Sequence, residues 1–235
     1  MKNENTMQEM WSHLSQTYGQ ANDLEEKQRN LLAMFLNDTS WKVLELASWN
    51  AKVLQKIHTI NPWLELTGID YSADMIIEGK KNVPDVEFIQ WDITQLNTLL
   101  QNKQFETIFC LNSLHNLPSK DFIYSILDAV PAYLNSQGYF IFDVRNAWNP
   151  FIHYGYSQNR KKWLSFWTLN YLALLRYAKK KGFKVKRVQW VYYQNRKESF
   201  FDSRFAVLNF LYTLYLKLTR ITFFSPYIFI ILQKK

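Results

Sequence analysis

The sequence predicts an α/β fold in which a parallel sheet is covered by helices on both faces, and three observations predict it. From Lys42 onward, short apolar β-type runs alternate with segments of helical periodicity. The chain has 235 residues, which suits one domain with elaborations. Hydrophobic residues make up 48% and aromatic residues 17%, against 6 Gly and 6 Pro, so a large core can form and a disordered or linker-like chain is excluded.

The first forty residues read as helix. Met10, Trp11, Leu14 and Tyr18 form one apolar set, and Leu31, Leu32, Phe35 and Leu36 form another beyond a charged stretch. Asn37–Ser40 breaks the pattern. Strands are expected at Lys42–Leu46, Leu64–Asp70, Val86–Gln90 and Glu106–Leu111. Helices are expected at Ala51–Thr59, from Ser72 as N-cap onward, and from Ser119 to about Leu134. Asn135–Gly138 reads as a turn and Tyr139–Val144 as a strand. A polar and aromatic loop, Arg145–Lys162, leads to a helix at Leu164–Lys181 with Gly182 beyond its end. Phe183–Tyr193 alternates as a strand, helical periodicity returns at Phe205–Leu218, and Tyr227–Leu232 closes as a strand. The organisation is then a helical unit at 1–40 and an α/β domain at 41–235, with insertions near 145–163 and 195–224.

Composition narrows the function classes. The lone Cys110 excludes a disulfide framework and a multi-thiolate zinc site, and it reads as a core residue, so no metal centre is expected. The first sixteen residues carry no apolar stretch of the secretory kind. The longest apolar runs are interrupted by Asn209, Thr213 and Lys217 or are too short to span a bilayer, so the expectation is a soluble cytoplasmic protein. A net charge of +8 favours anionic partners. Nucleic acid ranks low among them, because the basic residues read as dispersed along the chain. Around Phe205–Tyr215, large apolar residues flanked by Arg204, Lys217 and Arg220 suit a peripheral membrane contact, a lipid-linked acceptor, a homodimer contact or simple core packing.

In open α/β sheets ligands bind beyond the carboxyl ends of the strands. There the sequence places Glu45 to Ala51 after the first strand, Asp70-Tyr71-Ser72 after the second, Asp92-Ile93 after the third and Asn112 to His115 after the fourth. An acid some 20–25 residues beyond a first strand–loop–helix suits the two hydroxyls of a ribose. Asp92 with the N–H of Ile93 suits the edge of an adenine, although Asp-Ile-Thr also reads as a helix cap. Glu45 reads equally as a ligand group or as a buried acid bonding loop amides. His115 is the general-base candidate beside a packing role, and His153 has similar standing.

Val43–Leu46 (VLEL), Leu66–Ile76 (LTGIDYSADMI), Val86–Ile93 (VEFIQWDI), Phe105–Pro118 and Tyr133–Val144, in that order and spacing, resemble the class I S-adenosylmethionine-dependent methyltransferases. The resemblance covers Trp41–Val144, and the GFKV segment and closing strand fit the family's last two strands. It implies a Rossmann-like, mostly parallel seven-stranded sheet with its last strand antiparallel, and S-adenosyl-L-methionine as cofactor. Residue by residue, it implies Glu45 at the methionine ammonium, with Ala47, Ser48 and Trp49 in the cofactor loop. It places Asp70 on the ribose, Tyr71 on the adenine face, Asp92 and Ile93 at the adenine edge, and Asn112 and Ser113 beside the methionine. The loop after the fifth strand, with Arg145, Asn146, His153, Tyr154 and Tyr156, would meet a small-molecule acceptor, methylated on oxygen or nitrogen. The N-terminal helix with Trp11 and Tyr18 would be the lid.

One departure stands out. The family's first loop is glycine-rich, and the three glycine positions here read Ala47, Trp49 and Ala51. Alanine suits such positions where φ is negative. A second reading therefore stands beside the enzyme: an inactive, methyltransferase-like binding or scaffold protein with Trp49 filling the cofactor loop.

Overall fold

The computed structural model describes residues 23–37, 41–96, 103–150, 152, 167–191, 206–219 and 225–235. Helix α1 (Asp23–Asn37) precedes β1 (Lys42–Leu46), α2 (Lys52–Ile60), β2 (Glu65–Asp70), α3 (Ala73–Asn82), β3 (Glu87–Gln90) and β4 (Phe105–Cys110). Then come α4 (Lys120–Tyr133), β5 (Leu134–Arg145), α5 (Tyr171–Lys180), β6 (Phe183–Val191), α6 (Ala206–Thr219) and β7 (Tyr227–Lys234). The strands form one sheet in the order β3-β2-β1-β4-β5-β7-β6. Strands β1 to β5 pair in parallel, and β7 runs antiparallel to both β5 and β6. Strand order reverses at β1, so the loops after β1 and β4 open on the same crevice.

Two-residue periodicity explains the two-sided core. Leu44, Leu46, Ile108, Cys110, Phe140 and Phe142 face a cluster that includes Ile126 and Val130 of α4 and Leu174 and Ala178 of α5. Their neighbours Val43, Phe109 and Ile141 face the opposite cluster, with Leu32 and Leu36 of α1 and Leu54 and Ile57 of α2. Cys110 is a buried core residue, as the apolar run around it implies.

Caps set several boundaries. The Ser72 hydroxyl accepts from the Met75 N–H at 3.4 Å, and that of Ser119 from Asp121 at 3.2 Å. Gly182, past the end of α5, has φ 88°, a conformation that costs glycine little. Two expectations change. The helix expected from Leu164 begins only at Tyr171, because the Asn170 side chain caps the amides of Leu172 and Ala173. Just before it, Leu169 pairs with Asn146 as a bridge, donating its N–H to Arg145 O at 2.8 Å. The turn at 135–138 lies within β5, as a bulge between the pairs Phe105–Leu134 and Thr107–Tyr139, with Gln137 at φ 65°. The lid residues Trp11 and Tyr18, most of the 145–163 insertion and both ends of the 195–224 insertion lie outside the described residues. Among the described residues no helix is long and apolar enough to cross a membrane.

Candidate functional site

Glu45, next to last in β1, is buried, and the chain leaves the strand through three consecutive left-handed bends. Ala47 has φ 56°, Trp49 52° and Ala51 59°. These are the three positions where glycine was expected. Here each carries a Cβ in a region that costs an L-residue about 1–2 kcal/mol. The condition under which alanine suits these positions, a negative φ, is therefore not met: the loop bends left-handed without glycine. Hydrogen bonds hold it. Ser48 donates its N–H to Ile69 O at 2.8 Å, and Ala51 donates to Ser48 O at 2.8 Å. Trp49 donates its N–H to Asp70 Oδ2 at 2.8 Å. The indole of Trp49 is half-buried.

Asp70, at the end of β2, is therefore a clamp. Its Oδ1 accepts from the Ser72 N–H at 2.9 Å while Oδ2 holds the loop. Each carboxylate oxygen has a second lone pair that can meet a hydroxyl. Burial pushes its pKa up, and the amides of Ser72, Trp49 and Tyr71 pull it back. Beside it the Tyr71 ring is exposed, at 41%. After β3, Asp92 caps a short 3-10 turn by accepting from Thr94 N–H at 2.8 Å, and Ile93 is buried under the sheet's edge. The cap reading of Asp92 is thus present in the structure, with its second oxygen left over.

A denser cluster lies beyond β4 and β5. Asn112 takes φ 56° and donates its N–H to Asp143 Oδ1 at 2.5 Å. The Arg145 guanidinium pairs with Asp143 Oδ2, donates to Asn112 Oδ1 at 3.1 Å and lies over the Tyr227 ring at 3.7 Å. It also meets Nε2 of His115, in the short turn after β4, at 3.4 Å. A guanidinium can only donate, so Nε2 accepts and the ring proton is assigned to Nδ1. Burial, then the Arg145 charge, pushes the His115 pKa well below its usual range, which keeps the ring neutral. Ser113 is buried, with its hydroxyl on Leu111 O. Asn146 is committed to backbone: its amide donates to Ser225 O and its carbonyl accepts from Trp148. His153, Tyr154 and Tyr156 lie outside the described residues.

Sequence reading missed three contributors. Gln28 of α1 is buried and its Oε1 accepts from Asn112 Nδ2 at 2.9 Å. Arg29, on the same helix, acts on Glu45: burial pushes that carboxyl well up, Arg29 lowers it and Asp70 raises it further. Asp143 anchors Arg145. No local motif marks Gln28 or Arg29; only the packing of α1 against the sheet brings them to the rim.

On β1, the loop after it and α1, three polar atoms are buried with no hydrogen-bond partner: Glu45 Oε2, Ser48 Oγ and Gln28 Nε2. Such groups each cost about 1–3 kcal/mol unless something satisfies them. An acceptor, a hydroxyl and an amide donor suit a ligand carrying both an ammonium and a carboxylate. An amino-acid tail has both, so the residues present fit S-adenosylmethionine. Among the described residues no cluster of His, Cys, Asp and Glu could hold a metal ion.

The chain matches a family model described as a methyltransferase domain over residues 37–196. No curated protein sequence matches it. Solved structures share the fold at low identity. The N-methyltransferase NodS from Bradyrhizobium japonicum WM9, in complex with S-adenosyl-L-homocysteine, is 12% identical with a TM-score of 0.61, over 91% of this chain and 88% of that one. Magnesium protoporphyrin IX methyltransferase from Synechocystis PCC 6803, with the same product bound, is 11% identical with a TM-score of 0.62, over 92% and 90%. The protein in complex with the Trm112 methyltransferase activator of Haloferax volcanii is 11% identical with a TM-score of 0.69, over 96% and 95%. With well over half its length matched and its seven-stranded sheet parallel but for the antiparallel β7, the chain belongs to the methyltransferase domain family, the class I enzymes whose methyl donor is S-adenosylmethionine.

Proposed function

We propose that this chain transfers a methyl group from S-adenosylmethionine to an oxygen or nitrogen of a small-molecule acceptor. The observation that carries the reading is the pair of buried, unpartnered groups, Glu45 Oε2 and Ser48 Oγ, beside a loop bent left-handed at Ala47, Trp49 and Ala51. A loop that had merely filled an abandoned site would have no reason to keep three strained bends, so this supports the enzyme over the inactive scaffold.

Within this reading Glu45 takes the ammonium of the tail, with Arg29 nearby to favour its ionised form. Ser48 and Gln28 satisfy the tail's remaining polar groups, and the backbone of Ala47 and Trp49 borders it. Asp70 accepts the ribose hydroxyls on its spare lone pairs, Tyr71 covers an adenine face, and Asp92 with Ile93 N–H meets the adenine edge. Asn112 and Ser113 line the methionine side. When bound, the cofactor supplies an electrophilic sulfonium methyl, so the protein's task is alignment of an acceptor with it. His115, neutral and with Nε2 engaged by Arg145, serves as a hydrogen-bond donor through Nδ1 rather than as a general base. Arg145 and Asn146 fix the base of the acceptor loop, from which His153, Tyr154 and Tyr156 extend in sequence. The structural neighbours named for N-methylation and for magnesium protoporphyrin IX support an acceptor of small-molecule size.

Calorimetric titration with S-adenosylhomocysteine tests this. The expected Kd is about 100 μM or tighter, roughly −5.5 kcal/mol. A flat titration would overturn the proposal.

A further inference from the structure

The basic residues are not dispersed. Residues 144–235 hold 18 of the 28 Lys and Arg but 2 of the 20 Asp and Glu, a net +16, whereas residues 1–143 carry a net −8. Among the described residues the sheet order turns this into a spatial separation. Strands β7 and β6 lie at one end, β3 at the other, and the edge strand β6 exposes Lys184, Lys186 and Arg187.

Along the chain, helix α6 falls in that cationic half. It joins the end of β6 to the start of β7, and Tyr227 pairs there with both Val191 and Arg145. The connection therefore leaves and re-enters the sheet at the edge where the site lies. Its described exposed side chains are apolar: Val207 at 71%, Phe210 at 56%, Leu211 at 49%, and Leu208 and Leu214 at 38% each. Positions 207, 210, 211 and 214 follow i, i+3, i+4, i+7, so they form one helical stripe, pointing where a solvated helix would carry charge. No acid occurs from Ser203 to the C-terminus, and Arg204 and Arg220 bracket the helix in sequence.

We propose that α6 lays this apolar stripe into the interface of an anionic lipid bilayer, with the cationic end of the molecule supplying long-range attraction. An apolar helix face with basic flanks binds membranes through buried area plus attraction to acidic headgroups. Nucleic acid would use the charge but leave Val207, Phe210 and Leu211 in water. A second copy docked through the same face would bring two +16 halves together, which charge opposes.

Co-sedimentation of the full chain with vesicles tests the proposal. One set is phosphatidylcholine alone and the other contains about one-third phosphatidylglycerol. Binding is expected to the anionic set, weakening as salt is raised. The double variant V207E/L211E should lower the bound fraction about tenfold or more. Its melting temperature and its response to S-adenosylhomocysteine should stay those of the parent, which separates lost docking from lost folding. The proposal is overturned if the parent chain stays in the supernatant with both sets. It is equally overturned if the chain prefers RNA or duplex DNA to vesicles, or if L211E abolishes self-association in a chain that ignores lipid.

Discussion

At the β4–β5 side of the rim the charges have fixed neighbours: Asp143 is paired with Arg145, which also holds Asn112 and His115 and stacks on Tyr227. At the β1–β2 side Glu45 and Ser48 have buried polar atoms with no partner, and three residues sit in left-handed backbone without glycine. On the first side the ion pair is completed by the protein itself, although Asn112 also takes a left-handed bend and Asn116 Oδ1 is buried without a partner. The second holds strain and unmet hydrogen bonds, which is the pattern proteins keep at sites that something else completes. Gln28 links the two, with one amide atom on Asn112 and the other unsatisfied.

The largest expected effect breaks the framework side. Asp143→Ala leaves the Arg145 guanidinium buried and uncompensated, and urea unfolding should show a loss of about 3–5 kcal/mol. A loss below about 1 kcal/mol would show that the pair carries no structural weight, and the contrast between the two sides would fall.

Next comes the clamp on the loop. Asp70→Ala removes the acceptor of the Trp49 and Ser72 amides as well as the proposed ribose ligand. Affinity for S-adenosylhomocysteine should drop about 100-fold, roughly 2.7 kcal/mol, by calorimetry. An unchanged affinity would place the cofactor elsewhere.

Glu45→Gln sharpens the contrast by separating stability from binding. Burial raises the Glu45 pKa above its usual 4.5. Between 4.5 and the raised value the folded chain keeps a proton that the unfolded chain has released, so this group's contribution to stability falls as pH rises through that window. The variant should melt higher than the parent at pH values above the window, with the gap closing as pH falls toward 4.5, while its cofactor affinity falls about tenfold. If the variant loses stability at neutral pH, Glu45 has a structural partner and the proposed role fails.

Smallest is Ala47→Gly. It relieves a left-handed alanine at some cost in chain entropy, for a net gain of about 0.5 kcal/mol. Ala51 is a poorer test, because its methyl is buried against α3 and the core. A loss of stability in Ala47→Gly would mean that the methyl packs usefully and the bend carries no strain.

Much of this was legible in one dimension. Short apolar runs, and one alternating run at Phe183–Tyr193, marked the strands, and Ser72 and Ser119 announced their helices, because buried strands and capped helix starts leave local patterns. The start of α5 was not legible, since the sequence before it has helical composition and only the ladder between Leu169 and Arg145 keeps residues 167–170 out of the helix. Nor was the backbone at Ala47, Trp49 and Ala51. Residue type argued against left-handed bends there, and a carboxylate 21 positions away outweighed that preference by holding Trp49 N–H.

By itself the sequence determined the α/β architecture, the family, and the placing of acids after successive strands, because periodicity, capping and order along the chain are local properties. The tertiary structure alone decided which of those acids are buried, which amides they clamp, and that a distant helix brings Gln28 to Asn112 and Arg29 to act on Glu45. It also decided that the described basic residues of the second half gather at one end of the sheet. These follow from burial and proximity across the fold, and desolvation and hydrogen bonding act through space, blind to separation along the chain.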